Sequence, residues 1–428
     1  MTSSSSVAAD VVVIGGGPGG SVCAAQLVRR GLSAIVLEKA VFPRFHLGES
    51  LLPRSLPVLD AIGVLDTVKA RFIEKYGARF HDDIRGRKDR FSFDAAWKAD
   101  VDHAFQVPRD EFDALLLEHA RACGADVRER WTAQRLLTDA SGRASGVEAV
   151  CPDGTSTTIG ARFVVDASGR DLLTAQAAGT TSKIEGLDQT ALYAHFEGVP
   201  RQRGKLEGDI DIVLFASGEG QRPNWFWFIP FKDGRTSVGA VVSRAWMRDR
   251  RARLGSSVED LTTALFRAAV GESSTATELL ANARCLWPKA EATADFSYRV
   301  RTTTGDGWLA VGDAGGFIDP LFSTGAHIAM TGGKLAADAI AAALASPGDE
   351  RRIIAAWDQD LRAGAETFIL AVQAFYAGPL VGYLFAEDKH AALRRSITSL
   401  LAGDVWTDAI WLRDTRLRLK EMLAPAGE

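Results

Sequence analysis

The chain has 428 residues, too many for one ordinary hydrophobic core, so two or three domains are expected. Fifty basic residues against 54 acidic ones give a formal charge of −4, which excludes a global field for gathering nucleic acid or anionic membrane and points to a small-molecule partner. Cys23, Cys123, Cys151 and Cys285 show no C-x-x-C spacing, which argues against a zinc site or a disulfide framework and fits a reducing cytoplasm, so no metal is expected.

Residues 1–9 read as a disordered, Ser-rich tail, because the apolar run behind them is too short for a signal sequence. The stretch Asp10-Val11-Val12-Val13-Ile14-Gly15-Gly16-Gly17-Pro18-Gly19-Gly20 then predicts a buried strand and a Gly-rich turn, with a helix from Ser21 to Arg30 closed by Gly31. Gly15 permits the tight turn, Gly17 lets the backbone approach a pyrophosphate, and Gly20 brings the helix close to the strand. A second strand, Ser33 to Leu37, ends in Glu38, placed to bond a ribose hydroxyl. Strand, helix, strand and terminal acid together predict a bound adenine dinucleotide.

The prolines and glycine of Phe42-Pro43-Arg44-Phe45-His46-Leu47-Gly48-Glu49-Ser50-Leu51-Leu52-Pro53 forbid a long helix or strand and predict an ordered loop beside the dinucleotide. A helix is expected over Pro57 to Val68, then strands and loops of a substrate-side sheet to about Val101. Asp110 is expected to cap a helix that buries Phe112, Leu115, Leu116, Ala120 and Cys123 and ends at Gly124. Phe163-Val164-Val165-Asp166-Ala167-Ser168-Gly169 repeats the logic of the opening strand and turn. Alternating segments from Thr190 to Ser243 predict an antiparallel sheet, and a helix is expected near Ser257 to Val270. A third apolar strand, Trp308 to Val311, runs into Gly312-Asp313-Ala314-Gly315-Gly316, and the chain beyond Gly325 is mainly helical, broken at Pro347 and Pro379. The most apolar helix, near Leu335 to Ala345, contains Asp338 and falls short of the roughly 20 residues a bilayer requires, so no transmembrane segment is expected.

Three strand-to-turn elements, at Gly15, Asp166 and Gly312, exceed what a nicotinamide enzyme needs. With Arg109 at the head of its helix, they resemble the FAD-binding pattern of the flavoprotein monooxygenase superfamily, which implies that Asp313 bonds the ribityl–pyrophosphate region. The bland alternative for Asp166 and Asp313 is a turn-capping acid. Within that superfamily the sequence is similar to flavin-dependent halogenases. The loop Phe42 to Pro53 matches F-P-R-x-x-x-G-E-S-L-L-P. Trp225 to Pro230 matches W-x-W-x-I-P, and Phe317, Pro320, Ser323 and Gly325 match F-x-x-P-x-x-S-x-G. Lys75 stands in the K-x-G context of the family's catalytic lysine. Geranylgeranyl-reductase-like flavoproteins share parts of the first and third motifs.

The resemblance implies an interleaved α/β fold. A Rossmann-like FAD-binding domain comprises 10–75, 105–180 and 296–345, and an antiparallel-sheet substrate domain comprises 76–104 and 181–295. A helical C-terminal region spans 346–428. It further implies an FAD-dependent biosynthetic enzyme, supplied with reduced flavin by a separate reductase, that turns chloride or bromide into hypohalous acid. Gly15, Gly17, Gly20, Glu38, Lys39, Ser50, Arg109, Asp166 and Asp313 are the expected cofactor set. Thr324 and Gly325 are the expected halide donors, with a plain helix N-cap at Ser323 or Thr324 as the alternative. Lys75 is the expected catalytic residue, against a surface lysine beside Glu74. Trp225, Trp227, Phe228 and Pro230 are the expected tunnel wall, against simple core packing.

Phe322 stands where tryptophan halogenases carry a glutamate, which shifts the implied substrate toward a phenol or pyrrole, free or tethered to an acyl or peptidyl carrier protein. His46, His81, His103 and His327 are candidate bases, each with a packing alternative. Two other readings remain: a related FAD monooxygenase or reductase without halogenation, and a non-catalytic flavin-binding sensor. Ser396 to Met422 either covers the pocket, meets a carrier protein or packs in the core.

Overall fold

The computed structural model describes residues 7–215, 222–255, 259–294, 296–386 and 390–424. Strand β1 (Val7–Ile14) leads into helix α1 (Pro18–Arg29) and strand β2 (Ala34–Glu38). The last residues of the expected disordered tail are therefore strand, and 1–6 lie outside the described residues. Helix α1 starts three residues before Ser21 because Pro18 occupies its first turn, where a missing N–H costs nothing. The helix expected over Pro57 to Val68 is two, α2 (Leu56–Ile62) and α3 (Leu65–Arg71), separated where Gly63 takes φ +83°. Strands β3 (Ile73–Lys75), β4 (Gly77–Asp82), β5 (Arg87–Ser92) and β6 (Ala104–Gln106) follow.

Helix α4 (Arg109–Cys123) begins at Arg109, so Asp110 is not its cap but an acid of its first turn, where the helix dipole favours negative charge. Next come β7 (Asp126–Glu129), β8 (Thr132–Thr138), β9 (Ala144–Val150), β10 (Ser156–Asp166) and α5 (Leu173–Ala178). Strands β11 (Thr181–Lys183), β12 (Gln189–Glu197), β13 (Ile210–Phe215), β14 (Asn224–Pro230) and β15 (Thr236–Ser243) precede α6 (Arg244–Leu254), α7 (Leu261–Gly271) and α8 (Ser274–Leu280). Ser257, the expected start of a helix here, lies outside the described residues, and α7 starts where Asp260 accepts from Thr263 N. Short strands β16 (Arg284–Cys285), β17 (Glu291–Ala294), β18 (Tyr298–Val300), β19 (Thr304–Gly305), β20 (Trp308–Ala310) and β21 (Gly316–Phe317) lead to the helices α9 (Thr324–Ala345), α10 (Glu350–Tyr376), α11 (Pro379–Leu384), α12 (Ala391–Leu401) and α13 (Ile410–Leu423).

One sheet runs β19-β20-β10-β1-β2-β7, with β8 and β9 extending it from β10. Its inner strands are parallel. Ile14 pairs with both Leu37 and Asp166, and Asp166 pairs with Ala310, so three separate turns emerge along one sheet edge. Ligands of open α/β sheets bind at such an edge. A second sheet runs β16-β12-β15-β14-β13-β4-β5, with β17 on β12. It is not wholly antiparallel, because β13 pairs with β4 in parallel, their partners lying 132 residues apart as at Arg79 and Asp211. A parallel pair needs such a crossover rather than a hairpin.

Helix α9 is longer than the Leu335–Ala345 pattern suggests, and by length and composition alone it could cross a bilayer. Here it packs against α1 and α10. A Cβ added at Gly333 would stand 2.2 Å from the Gly19 carbonyl oxygen, so two helix backbones touch where a side chain is missing. Asp338 is held by Gln26 at 2.7 Å, by Arg30 at 2.9 Å and by Lys334 at 2.8 Å. The C-terminal helices close the largest apolar cluster, to which Leu400, Leu401 and Leu419 belong, together with Trp225 and Trp227 of β14. Core packing is thus the reading of the C-terminal segment that the contacts favour, although Ile410 is 73% exposed.

Candidate functional site

A cavity of about 860 Å³ opens along the shared edge of the parallel strands and ends against the face of the second sheet. Gly15, Gly17 and Gly19 line it. Gly15 has φ +99° and no room for a side chain, its added Cβ falling 2.3 Å from the Ala167 oxygen. Gly17 differs: its nearest neighbour would be Arg44 at 3.7 Å, which leaves the N-terminus of α1 open to a ligand. Gly20 lies behind the cavity, where an added Cβ would sit 2.0 Å from the Gly15 oxygen, the close helix packing expected of it.

Glu38 lines the cavity and accepts 2.7 Å bonds from Gly16 N and Ala40 N. An ionised carboxylate accepts about four bonds, so capacity remains for a ribose hydroxyl. Lys39 lines the rim in an exposed ion pair with Asp171. Buried Arg109 makes a two-pronged pair with Asp113, at 2.7 and 2.9 Å, and donates to Leu47 O at 2.6 Å, tying the head of α4 to the Phe42–Pro53 loop. Asp313 faces the cavity, and burial pushes its carboxyl up to about 6 against the pull of Arg109 and Arg170.

Asp166 does not reach the cavity. Its carboxylate accepts from Ser168 N at 3.0 Å and from Thr174 N and Oγ1 at 2.8 and 2.7 Å, which is the turn-capping alternative. The residues after it, Ala167 to Asp171, line the cavity in its place. Trp131, Thr132, Ala133 and Gln134 form the far end, beside Glu38. No motif marks them in the sequence.

At the other end, Asp319 caps a turn over Pro320 to Phe322, and Ser323 takes φ +56° before Thr324 starts α9. Ser323 makes no side-chain cap bond, so the first N–H groups of α9 are not satisfied by the expected N-cap alternative. Thr324 and Gly325 line the cavity, and a Cβ at Gly325 would press within 3.1 Å of the Phe317 ring. Phe322 is buried edge-on against Phe375.

Strand β14 divides its aromatics by parity. Trp225, Trp227 and Ile229 face the cavity, whereas Phe226 and Phe228 pack on the opposite face with Phe266 of α7 and the β15 interior. Phe228 and Pro230 are therefore not part of the wall that faces the cavity, because Phe228 is one residue out of phase with the indoles and Pro230 stands beyond Ile229 at the strand end.

Lys75 is 2% exposed, which removes the surface-lysine alternative. Its Nζ donates 2.9 Å bonds to Ser50 Oγ and Leu51 O, and lies 5.3 Å from the centre of the Phe93 ring. Burial pulls its pKa down to about 7, opposed by the nearby Asp209 carboxylate. Lys75 does not itself line the cavity; Ser50 does.

The four candidate bases separate. His327 is held between Ser55 and Gly403 O at 3.0 Å each, and burial lowers its pKa to about 4. His81 pairs with Asp211 and His103 with Asp102. His46 alone of the four lines the cavity, with its pKa lowered by burial to about 4. The sequence reading missed Glu49 and His195, joined at 3.0 Å although 146 residues apart, with Glu49 on the cavity. The G-E-S motif was the available signal for Glu49; nothing local marks His195.

The glycine-lined turn, the open N-terminus of α1 and the acid at the end of β2 fit an adenine dinucleotide, and the cavity continues past them with room for a flavin. The family model described as tryptophan halogenase matches residues 10–98 and 85–379. A tryptophan 2-halogenase of Chondromyces crocatus is 33% identical over 79% of this chain, which spans 62% of that protein's length. A 1H-pyrrole-2-carbonyl-[peptidyl-carrier protein] chlorinase of Pseudomonas fluorescens is 30% identical over 93% of this chain and 90% of its own. The solved flavin-dependent brominase Bmp2 superposes with a TM-score of 0.84 at 25% identity, over 96% of this chain and 98% of that one. The chain belongs to the tryptophan halogenase family, the flavin-dependent halogenases, which are enzymes that use FAD.

Proposed function

We propose that the protein halogenates a phenol or pyrrole, with Lys75 delivering the halogen. Bound FADH2, supplied by a separate reductase, would give oxygen two of the four electrons it accepts, the other two coming from chloride or bromide as it is oxidised to hypohalous acid. The chain's own residues have four tasks. Gly15, Gly17, Glu38, Arg109 and Asp313 hold the cofactor, with Lys39 and Ser50 at its margins. The N–H groups at Thr324 and Gly325 hold halide, as an open helix start favours an anion. Trp225 and Trp227 keep the aromatic substrate from the flavin side. Lys75 either holds hypohalous acid by hydrogen bond, the ring taking the halogen and its proton leaving with the hydroxide as water, or forms a haloamine with loss of water and gives the halogen to the ring as its nitrogen regains a proton.

The single observation that carries this reading is a lysine sealed from solvent, poised near neutrality, and one hydroxyl removed from the cavity. Burying an ammonium group is costly, and an amine with a pKa near 7 is both donor and nucleophile at working pH. Phe322 in place of an acid, and the named substrate of the Pseudomonas relative, support an electron-rich ring that needs little acid-base help, free or carrier-tethered. With the domain bounds proposed from sequence, the reaction lies between the FAD-binding segments and the substrate segments 76–104 and 181–295, and the thiols fit a cytoplasmic setting.

The test supplies FAD, a reductase, NADH, oxygen, bromide and a panel of phenols and pyrroles, and seeks the bromine isotope pair by mass spectrometry. Oxygen addition without bromine supports the hydroxylating alternative, and an unchanged panel with no extra oxygen consumption supports the sensor. Lys75→Ala is expected to lower bromination by roughly two orders of magnitude or more, as for loss of a covalent or acid-base group, while FADH2 oxidation continues. Bromination retained in Lys75→Ala removes Lys75 from the mechanism. Through the haloamine, wild-type bromination should rise as pH increases through about 7, where the amine loses its proton; through a hydrogen-bonding ammonium it should fall over the same range.

A further inference from the structure

Each of the two indoles facing the cavity is tied, through one hydroxyl, to one buried carboxylate. Trp225 Nε1 donates to the Tyr376 hydroxyl oxygen at 2.9 Å, and that hydroxyl donates to Asp319 Oδ2 at 3.1 Å. The other oxygen of Asp319 accepts from Leu321 N at 2.9 Å, within the turn that delivers Thr324. Trp227 Nε1 donates to Ser237 Oγ at 3.1 Å, and Ser237 donates to Glu49 Oε2 at 3.1 Å. Glu49 Oε1 meets His195 Nε2 at 3.0 Å. All of these side chains are buried.

We infer that Tyr376 and Ser237 are positioning residues, two hydroxyl latches that fix the indoles across the passage between halide turn and lysine. The inference rests on the proposed halogenation for its chemical consequence, but its geometry stands independently. A tyrosine hydroxyl and a serine in an apolar core are costly unless bonded, and each here uses its one proton toward a carboxylate while accepting from an indole. Packing alone would be met by phenylalanine and alanine. Opposite Trp227 the neighbouring strand has given up its side chain: a Cβ at Gly239 would lie 2.2 Å from the indole ring. That indole is therefore located both by shape and by a directed bond. Trp225 has its own anchor at the last residue of α10, so the C-terminal helices reach the wall through one hydroxyl.

The latches end on the two motif loops that meet the cofactor cavity. Glu49 lies in the G-E-S loop and lines the cavity; Asp319 shapes the turn before the halide donors. Wall and donors thus share their supports. A wall of this kind must admit a small, neutral hypohalous acid while excluding an aromatic ring, a discrimination by size that a swinging indole would lose.

The decisive experiment labels tryptophan indoles with 15N in the full chain without cofactor, and assigns Trp225 and Trp227 from Trp225→Phe and Trp227→Phe. Tyr376→Phe should shift the Trp225 indole resonance and speed its hydrogen exchange about tenfold, the effect of losing one buried hydrogen bond, while Trp227 is unmoved. Ser237→Ala should give the reverse pattern. With reductase and bromide, each variant should yield several-fold less brominated product per flavin oxidised, the difference appearing as hypohalous acid trapped by an added small diketone or as hydrogen peroxide. Indole exchange unchanged in either variant overturns that latch, and faster exchange with unchanged product per flavin overturns its role in positioning. A wild-type protein that brominates nothing overturns the functional proposal instead, and the indole pattern still decides the latches. Far-UV circular dichroism excludes unfolding as the cause.

Discussion

Lys75 is the residue at which chemistry and stability oppose each other. Its amine is pulled from an ordinary 10.5 to about 7 by burial, so between these values the unfolded chain binds a proton that the folded chain does not. Folding stability contributed by this site therefore rises with pH through that window, and the penalty is fully present below about 7. Lys75→Met should stabilise the cofactor-free protein by on the order of 2 kcal/mol at pH 7. The gain should vanish as the pH approaches 10.5. Denaturant titrations of both proteins at several pH values measure this; a gain that does not depend on pH would place its origin in packing. At this scale the local motifs were legible in that Gly15, Thr324 and Trp227, each marked by its pattern, all line the one cavity. For Asp166 the sequence leaves ligand-binding and turn-capping acid open, because its partner Thr174 lies in the following helix and the two share one local signature.

Among the elements, α9 joins the two ends of the cavity. Its first turn presents Thr324 and Gly325, and nine residues beyond Thr324, about two and a half turns, Gly333 rests on Gly19 at the start of α1. Gly333→Leu must push backbone rather than a side chain, and overpacking of this kind costs about 1–3 kcal/mol. The variant should lose thermal stability and bind FAD more weakly, since α1 carries the glycine turn; thermal melts with increasing FAD would report both. An unchanged FAD affinity would show that α1 moves without its N-terminus. The full length of α9 is hard to read from sequence because glycines at 325, 332 and 333 weaken a helical pattern; Gly333 meets the Gly19 backbone, whereas Gly325 and Gly332 lie against the Phe317 and Leu361 side chains. On β14 the alternation was legible, but which face meets the cavity depends on α7, which covers the phenylalanines.

For the whole molecule, the fold class was legible because apolar runs, glycine turns and alternating strands each have their own period. The contacts that make a site are different in kind: Trp225 meets Tyr376 across 151 residues, and no local pattern encodes that meeting. The C-terminal helices show the same dependence. Ile397, Leu400, Leu401, Val405 and Leu419 all enter the largest apolar cluster. At about 2 kcal/mol each, their loss approaches the stability of an entire domain. A chain ending at residue 386 should therefore fail to melt cooperatively; a sharp transition in calorimetry would show that these helices are a cover and not part of the core. The parallel pairing of β4 with β13 has a further consequence for how the chain is made. The β4–β5 hairpin leaves the ribosome 132 residues ahead of the strand it must join. At a synthesis rate of about 5–20 residues per second, that is roughly 7 to 26 seconds of waiting. During this time Phe80 and Phe91 lack their partners from β13 onward and the β4 edge stays open, while the other edge of the hairpin, β5, carries the charged run Arg87, Lys88, Asp89 and Arg90, a composition that disfavours edge-to-edge pairing.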